Sequence, residues 1–222
     1  MSKVIKSIIF SLAIILSICS ALAKETSNNE APVWANQFEQ EFEETLSYPL
    51  IGSSKTKGKI FYDWTNKRYR IDRDNGKWDR YCGSVLKLTE TPCSHIVDEG
   101  KRYLYFPKKD YCCYCCDSAH GCGILKPDWL SGAEYTGKKT DSNGVSYNVW
   151  DKKGLQSNLY WATEAGIMAK IDQQPNDLQE YDVNTYKEAI TDASVLNLPE
   201  KCNTNTKCPF ISICTPLRAF SQ

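Results

Sequence analysis

The chain is poor in the residues that most enzyme chemistry needs. Its 222 residues include two histidines and two methionines, and basic and acidic residues balance at 27 each. A neutral chain has no electrostatic footprint for nucleic acid or for anionic membrane surfaces. Past the first 23 residues no apolar run approaches the roughly 20 residues that cross a bilayer. Missing too are the G-x-S-x-G nucleophile elbow, the H-E-x-x-H zinc motif and the P-loop. The carboxylate groupings Asp72-Arg-Asp74 and Glu41-Phe-Glu-Glu44 read as solvated faces rather than as an acid–base pair. His95 and His120 each stand close to cysteines, but a Cys–His couple needs a free thiol. No catalytic residues are assigned, and a non-enzyme is expected.

Cysteine, by contrast, is plentiful. The N-terminus runs Met1-Ser-Lys-Val-Ile-Lys6, then an apolar stretch from Ser7 to Cys19, then Ser20-Ala-Leu-Ala23. A basic start, a hydrophobic core and an A-x-A site are the parts of a secretory signal peptide, here 1–23. Its removal takes Cys19, Lys3 and Lys6, leaving 25 basic against 27 acidic residues, a net −2. Ten of the 11 cysteines remain: Cys82, Cys93, Cys112, Cys113, Cys115, Cys116, Cys122, Cys202, Cys208 and Cys214. An even number behind a signal predicts up to five disulfides. The crowding of Cys112 to Cys122 around His120 also admits zinc, which favours thiolate and imidazole. Adjacent cysteines point apart and the knuckle spacing is missing, so disulfides are the preferred reading, with their pairing open. The expected compartment is the extracellular space or the endomembrane lumen.

Along the mature chain, 24–33 is polar and expected to be flexible. From Trp34 to Tyr48 the large residues Trp34, Phe38, Phe42 and Leu46 recur every four positions, which predicts an amphipathic helix closed by Pro49 and Gly52. The period then drops to two. Gly58–Trp64 places Ile60, Tyr62 and Trp64 on one face, and Lys67–Arg73 does the same with Tyr69 and Ile71. Asp74-Asn-Gly76 signals a hairpin into 77–85. Further strands are predicted at 102–106, 133–137, 146–150, 159–163 and 167–171, with turn residues between the later ones. A second helical piece is expected from Asn184 to about Asp192.

That order, with Gly58-x-Ile-x-Tyr-Asp63 and Arg70 ahead of a meander ending in Tyr160-Trp-Ala-Thr-Glu-Ala-Gly-Ile167, resembles the LolA-like lipoprotein-carrier fold. It also resembles the ependymin-related proteins. The CC-x-CC cluster at 112–116 is similar to one in uncharacterised secreted proteins of protists and algae, and departs from animal ependymins. The resemblance implies a mainly β (α+β), disulfide-stapled fold. One large curled antiparallel sheet, a half-barrel, would carry one or two helices on its concave face. The LolA/ependymin-like domain would span 34–198, followed by a cysteine-pinned tail at 199–222.

It also implies a lipid or other hydrophobic ligand held between sheet and helix. The aromatic residues expected to line such a cleft are Trp34, Phe38, Tyr62, Trp64, Tyr103, Tyr105, Tyr160 and Trp161. The competing reading makes them plain core, and the protein an extracellular structural or partner-binding module. No metal ligand is assigned; the oxygen-rich loops Asp141-Ser-Asn143 and Asp172–Asp177 offer donors of the kind calcium takes, and turn chemistry also explains them.

Overall fold

Eleven antiparallel strands form one sheet in the computed structural model, which describes residues 30–219 apart from Ile51 and Leu155. The expected signal peptide lies outside the described residues. The first meander comprises β1 (Gln37–Tyr48), β2 (Gly52–Asp63), β3 (Arg68–Arg73), β4 (Cys93–Asp98), β5 (Lys101–Phe106) and β6 (Tyr111–Asp117). A second follows as β7 (Glu134–Thr140), β8 (Ser146–Lys153), β9 (Ser157–Ala162), β10 (Met168–Gln173) and β11 (Asp177–Tyr181). The two join where β11 pairs with β1, giving the order β6-β5-β4-β3-β2-β1-β11-β10-β9-β8-β7.

Four expectations are corrected here. Residues 37–48 are not a helix but the central strand, paired along its length with β2 and, over Phe42–Leu46, with β11. A repeat of four is also a multiple of two, so Phe38, Phe42 and Leu46 share a strand face as readily as a helix face. The residues between them on that face, Gln40 and Glu44, are polar yet buried, which hides the alternation. With the helix gone, the curled half-barrel goes too. β6 and β7 are the edges of an open sheet that is neither closed nor strongly curled. The helices among the described residues are short: α1 (Cys82–Val85) and α2 (Cys214–Ala219). The segment expected to be helical from Asn184 holds a 3-10 turn at Val183–Thr185 and then extended chain, Lys187 pairing with Glu39. The hairpin read at Asp74–Gly76 leads into turns and α1 rather than a strand. Gly76 is required there because a Cβ would collide with the Cβ atoms of Cys93 and Cys82.

The sheet has two covered faces. On the face carrying Phe42, the main core joins Phe38, Phe42, Ile60, Tyr62, Ile71, Tyr160 and Tyr181. Its cover is Trp34 together with the 118–133 connection, tied down where Tyr62 Oη donates to the Leu125 carbonyl at 2.8 Å and Trp34 N to Pro127 O at 3.0 Å. On the opposite face Glu39 is buried and accepts from Lys59, Lys187 and Thr191. Burial alone would raise its carboxyl, but the Thr191 and lysine hydrogen bonds overcome that and pull it down to about 2.

All ten expected cysteines form disulfides: Cys82–Cys93, Cys112–Cys202, Cys113–Cys208, Cys115–Cys214 and Cys116–Cys122. The doubled cysteines have a geometric reason. Successive strand residues face opposite ways, so Cys112 joins the small core of Ile96 and Tyr103 on one face while Cys113 joins Leu104 and Phe106 on the other. The tail therefore straddles the β6 edge, and Cys208 N donates to Tyr114 O at 2.9 Å.

Gly58 tests this packing. It stands across from Phe42, and a Cβ there would run into the Phe42 ring and the Asp72 carbonyl oxygen. Gly58→Ala should therefore lower stability by about 1–3 kcal/mol, seen as a lower urea midpoint at unchanged slope.

Candidate functional site

The alternation that builds the core also sends charge into it. On the Phe42 face, cross-strand register brings Glu44 of β1, Arg73 of β3, His95 of β4 and Gln179 of β11 into one neighbourhood. Arg73 is 4% exposed and Glu44 1%. The guanidinium binds Glu44 bidentately, Nε to Oε2 at 2.6 Å and Nη2 to Oε1 at 2.8 Å. Gln179 Nε2 donates to Glu44 Oε1 at 2.9 Å, and Tyr181 Oη donates to Gln179 Oε1 at 2.8 Å. Ahead of α1, Asp79 lies 3.6 Å from Arg73 Nη2 and 2.8 Å from His95 Nε2. Asp79 also accepts from the backbone N–H groups of Tyr81 and Cys82, and the Cys82–Cys93 disulfide holds that turn against β4.

Charge states follow from this geometry. Burial would lower the Arg73 pKa, but Glu44 and Asp79 outweigh it and hold the guanidinium charged. Burial would raise Asp79; His95, Arg73 and the Cys82 N–H hold it ionised. Burial pushes His95 below its usual value against the pull of Asp79, which its Nε2 faces at 2.8 Å. Asp177 is different. Burial first, then Glu44, push its carboxyl up to about 7 against the pull of Arg73.

Arg73, Asp79, His95, Asp177, Gln179 and Tyr181 border a cavity of about 270 Å³ with two characters. Ile60, Ile71, Ile171, Trp34, Tyr62 and Leu125 form an apolar side. Arg73, Asp79, His95, Asp177 and Gln179 form a polar one. Two polar atoms of these lining residues are buried and have no hydrogen-bond partner among the described residues: Arg73 Nη1 and Asp177 Oδ1.

Of the eight aromatic candidates, the structure unites Phe38, Tyr62 and Tyr160 in the main core, with Trp34 and Trp64 packed against it. Trp34 meets Phe38 and Tyr62 edge-on at 5.4 and 5.2 Å, and its Nε1 donates to Tyr160 Oη at 2.9 Å. Tyr103 belongs to the small core on the other face with Tyr105 packed against it, and Trp161 packs separately beside Tyr147. Only Trp34 and Tyr62 of the eight border the cavity. The charged lining was missed, although Arg73 follows Tyr69 and Ile71 at strand spacing and its inward aim was readable from them.

The metal-type groupings among the described residues are Cys115, Cys116 and Cys122, and Asp79, Cys82 and His95. Every cysteine in them is disulfide-bonded and offers no thiolate. Neither grouping falls in the two loops considered for calcium. Asp141 Oδ1 accepts from Asn143 N and Val145 N, an ordinary turn.

No family model matches the chain. No curated protein matches it either. Solved structures do, distantly. An uncharacterized conserved protein from Thermus thermophilus is 7% identical with a TM-score of 0.47, over 77% of this chain and 91% of that one. A LolA superfamily protein from Nitrosomonas europaea is 8% identical with a TM-score of 0.37, over 77% and 94%. MucB, in complex with MucA(peri), is 11% identical with a TM-score of 0.37, over 76% and 55%. The likeness to lipoprotein-carrier proteins is thus a distant one of fold, and at these scores it carries no argument about ligand or partner. The finer likeness to ependymin-related proteins stays with the sequence resemblance alone.

Two measurements probe the buried network. Arg73→Met strands Glu44 as an unpaired buried charge and should cost about 3–5 kcal/mol. Adding Glu44→Gln should recover part of that loss in equilibrium denaturation, since Glu44 is then no longer a charge without its partner, while Asp79 still lacks Arg73. Asp177 should respond to pH in the opposite sense from an ion-paired carboxylate. Its folded pKa is raised, so the folded state binds the extra proton and stability falls as pH rises from about 4 to about 7. Asp177→Asn should remove that slope, its gain in melting temperature growing across the window and levelling above it.

Proposed function

We propose that this chain is a secreted or lumenal binding module that recognises a macromolecular partner, and that it is not an enzyme. Five disulfides support an oxidising compartment. The observation that carries the partner reading lies in the tail. Phe210 is 84% exposed and Ile211 69%. They stand between Cys208 and Cys214, both bonded to β6. An apolar pair held this way in the free protein loses little conformational freedom on binding, which is what a contact residue needs.

The hydrophobic-carrier reading has less support. Six of its eight aromatic residues do not border the cavity, and a cavity of about 270 Å³ with a charged side has no room for a lipid with two acyl chains. Native mass spectrometry of the protein from a eukaryotic secretory host separates the readings. The partner reading predicts a bare mass, ten hydrogens below the reduced mature chain, two for each of the five disulfides. A retained mass that leaves on organic extraction and matches a lipid with two acyl chains would restore the carrier reading. Photo-crosslinking from position 210 in the protein's own extracellular fluid should give discrete protein adducts, and a variant carrying Ile211→Asp should lose them.

A further inference from the structure

The polar side of the cavity is more elaborate than a structural ion pair requires. Arg73 spends Nε and Nη2 on Glu44 and keeps Nη1 without a partner, although the residue is only 4% exposed. Asp177 Oδ1, also buried, has none either. Leaving such atoms unmet costs about 1–3 kcal/mol each, more where the group is charged, and both residues line the same cavity. A donor that cannot lose its proton and a carboxyl group that exchanges one together fit a ligand carboxyl. One ligand oxygen would accept from Arg73 Nη1, and the other would share a proton with Asp177.

We propose that this cavity is a binding site for a small monocarboxylic acid with an apolar tail, its carboxyl seated between Arg73 and Asp177 and its tail against Ile60, Ile71 and Ile171. The charge balance favours an acid over an amine. With Asp177 protonated, the guanidinium groups of Arg73, Arg80 and Arg102 at the cavity stand against two carboxylates, that of Asp79 and that of Glu44 bonded to Arg73, which leaves one net positive charge. The groups acting on Asp177 are Glu44 and Tyr48 from β1, Arg73 from β3, Asp79 and Arg80 from the turn before α1, and Tyr181 from β11 itself. Glu44 is already committed to Arg73 and Gln179, and Asp79 to His95 and the backbone, so neither is available to a ligand. Two adjacent carboxylates cannot both stay ionised in a desolvated site, so the ligand anion binds the protonated form of Asp177. Binding is therefore strong below the point where Asp177 ionises and weakens above it. The site goes beyond the partner reading and is independent of it, since the tail and the cavity share no residue.

Calorimetric titration of the full secreted protein with sodium octanoate, octan-1-ol and octylamine, at pH 6 and pH 8.5, tests the assignment. Octanoate should bind wild type at pH 6 and at least about tenfold more weakly at pH 8.5, the ionisation of one group near pH 7 being enough for that change. Asp177→Asn, whose amide donates at any pH, should bind octanoate at pH 8.5 as wild type does at pH 6. Its circular dichroism should be unchanged, because no protein hydrogen bond to Oδ1 is lost. No octanoate binding at pH 6 would overturn the proposal. So would pH-independent binding in wild type, equal affinity for octan-1-ol, or tighter binding of octylamine. None of these results bears on the crosslinks from position 210, so the two readings fail separately.

Discussion

Strand β1 has to be paired on both of its edges for this chain to form one sheet. β2 occupies one edge over all twelve residues of the strand, and β11 occupies the other from Phe42 to Leu46. Beyond β11 the chain continues along the same edge, with Asp182 N donating to Glu41 O and Lys187 exchanging backbone hydrogen bonds with Glu39. This seam is the strand pairing that joins the first meander to the second. Its inward positions alternate aromatic and polar: Phe42 stands opposite Tyr181, and Glu44 opposite Gln179. The Arg73–Glu44–Gln179–Tyr181 network is therefore a bridge across the seam as well as the polar side of the cavity. Buried ion pairs add little net stability against an apolar alternative, but they penalise any register that separates the partners, because a slip of one residue turns every side chain to the other face.

The far end of the first meander is held by a different means. A strand edge presents unpaired N–H and C=O groups that invite other chains. At β6 the tail covers that edge, and disulfides on both faces keep it there. The loops they close are long, 90 residues between Cys112 and Cys202 and 95 between Cys113 and Cys208. Bridges of that span restrict the unfolded chain most, by about 4–5 kcal/mol each in the loop-entropy account. β7, the other edge, is protected by composition instead, with Lys138 and Lys139 along it.

Much of this was legible in the sequence, and what was not follows a pattern. Wherever apolar and polar residues alternate in the ordinary way, as at Ile60 and Tyr62 or Tyr69 and Ile71, strand and face are readable. β1 was not, because Gln40 and Glu44 take inward positions and leave only every second inward residue apolar. β4, β6 and β11 were missed for related reasons: Ser94 and His95 are inside, the cysteines of β6 read as crosslinks first, and Gln179 faces in. The residues that disguise the strands are largely those that build the polar site. A buried charge in a strand is at once a failure of pattern reading and a pointer to a site. Disulfide formation was readable from parity and compartment, but the pairing needed the register of β6.

Hydrogen exchange resolved by segment tests the central claim most directly. If β1 is the shared strand, the 177–181 segment should exchange as slowly as 58–63, both opening with the whole sheet, since separating β11 from β1 also breaks the Glu44–Gln179 contact and exposes Phe42 and Tyr181. Rapid exchange in 177–181 while 58–63 remains protected would mean that the two meanders are not joined through β1, and the architecture described here would be wrong.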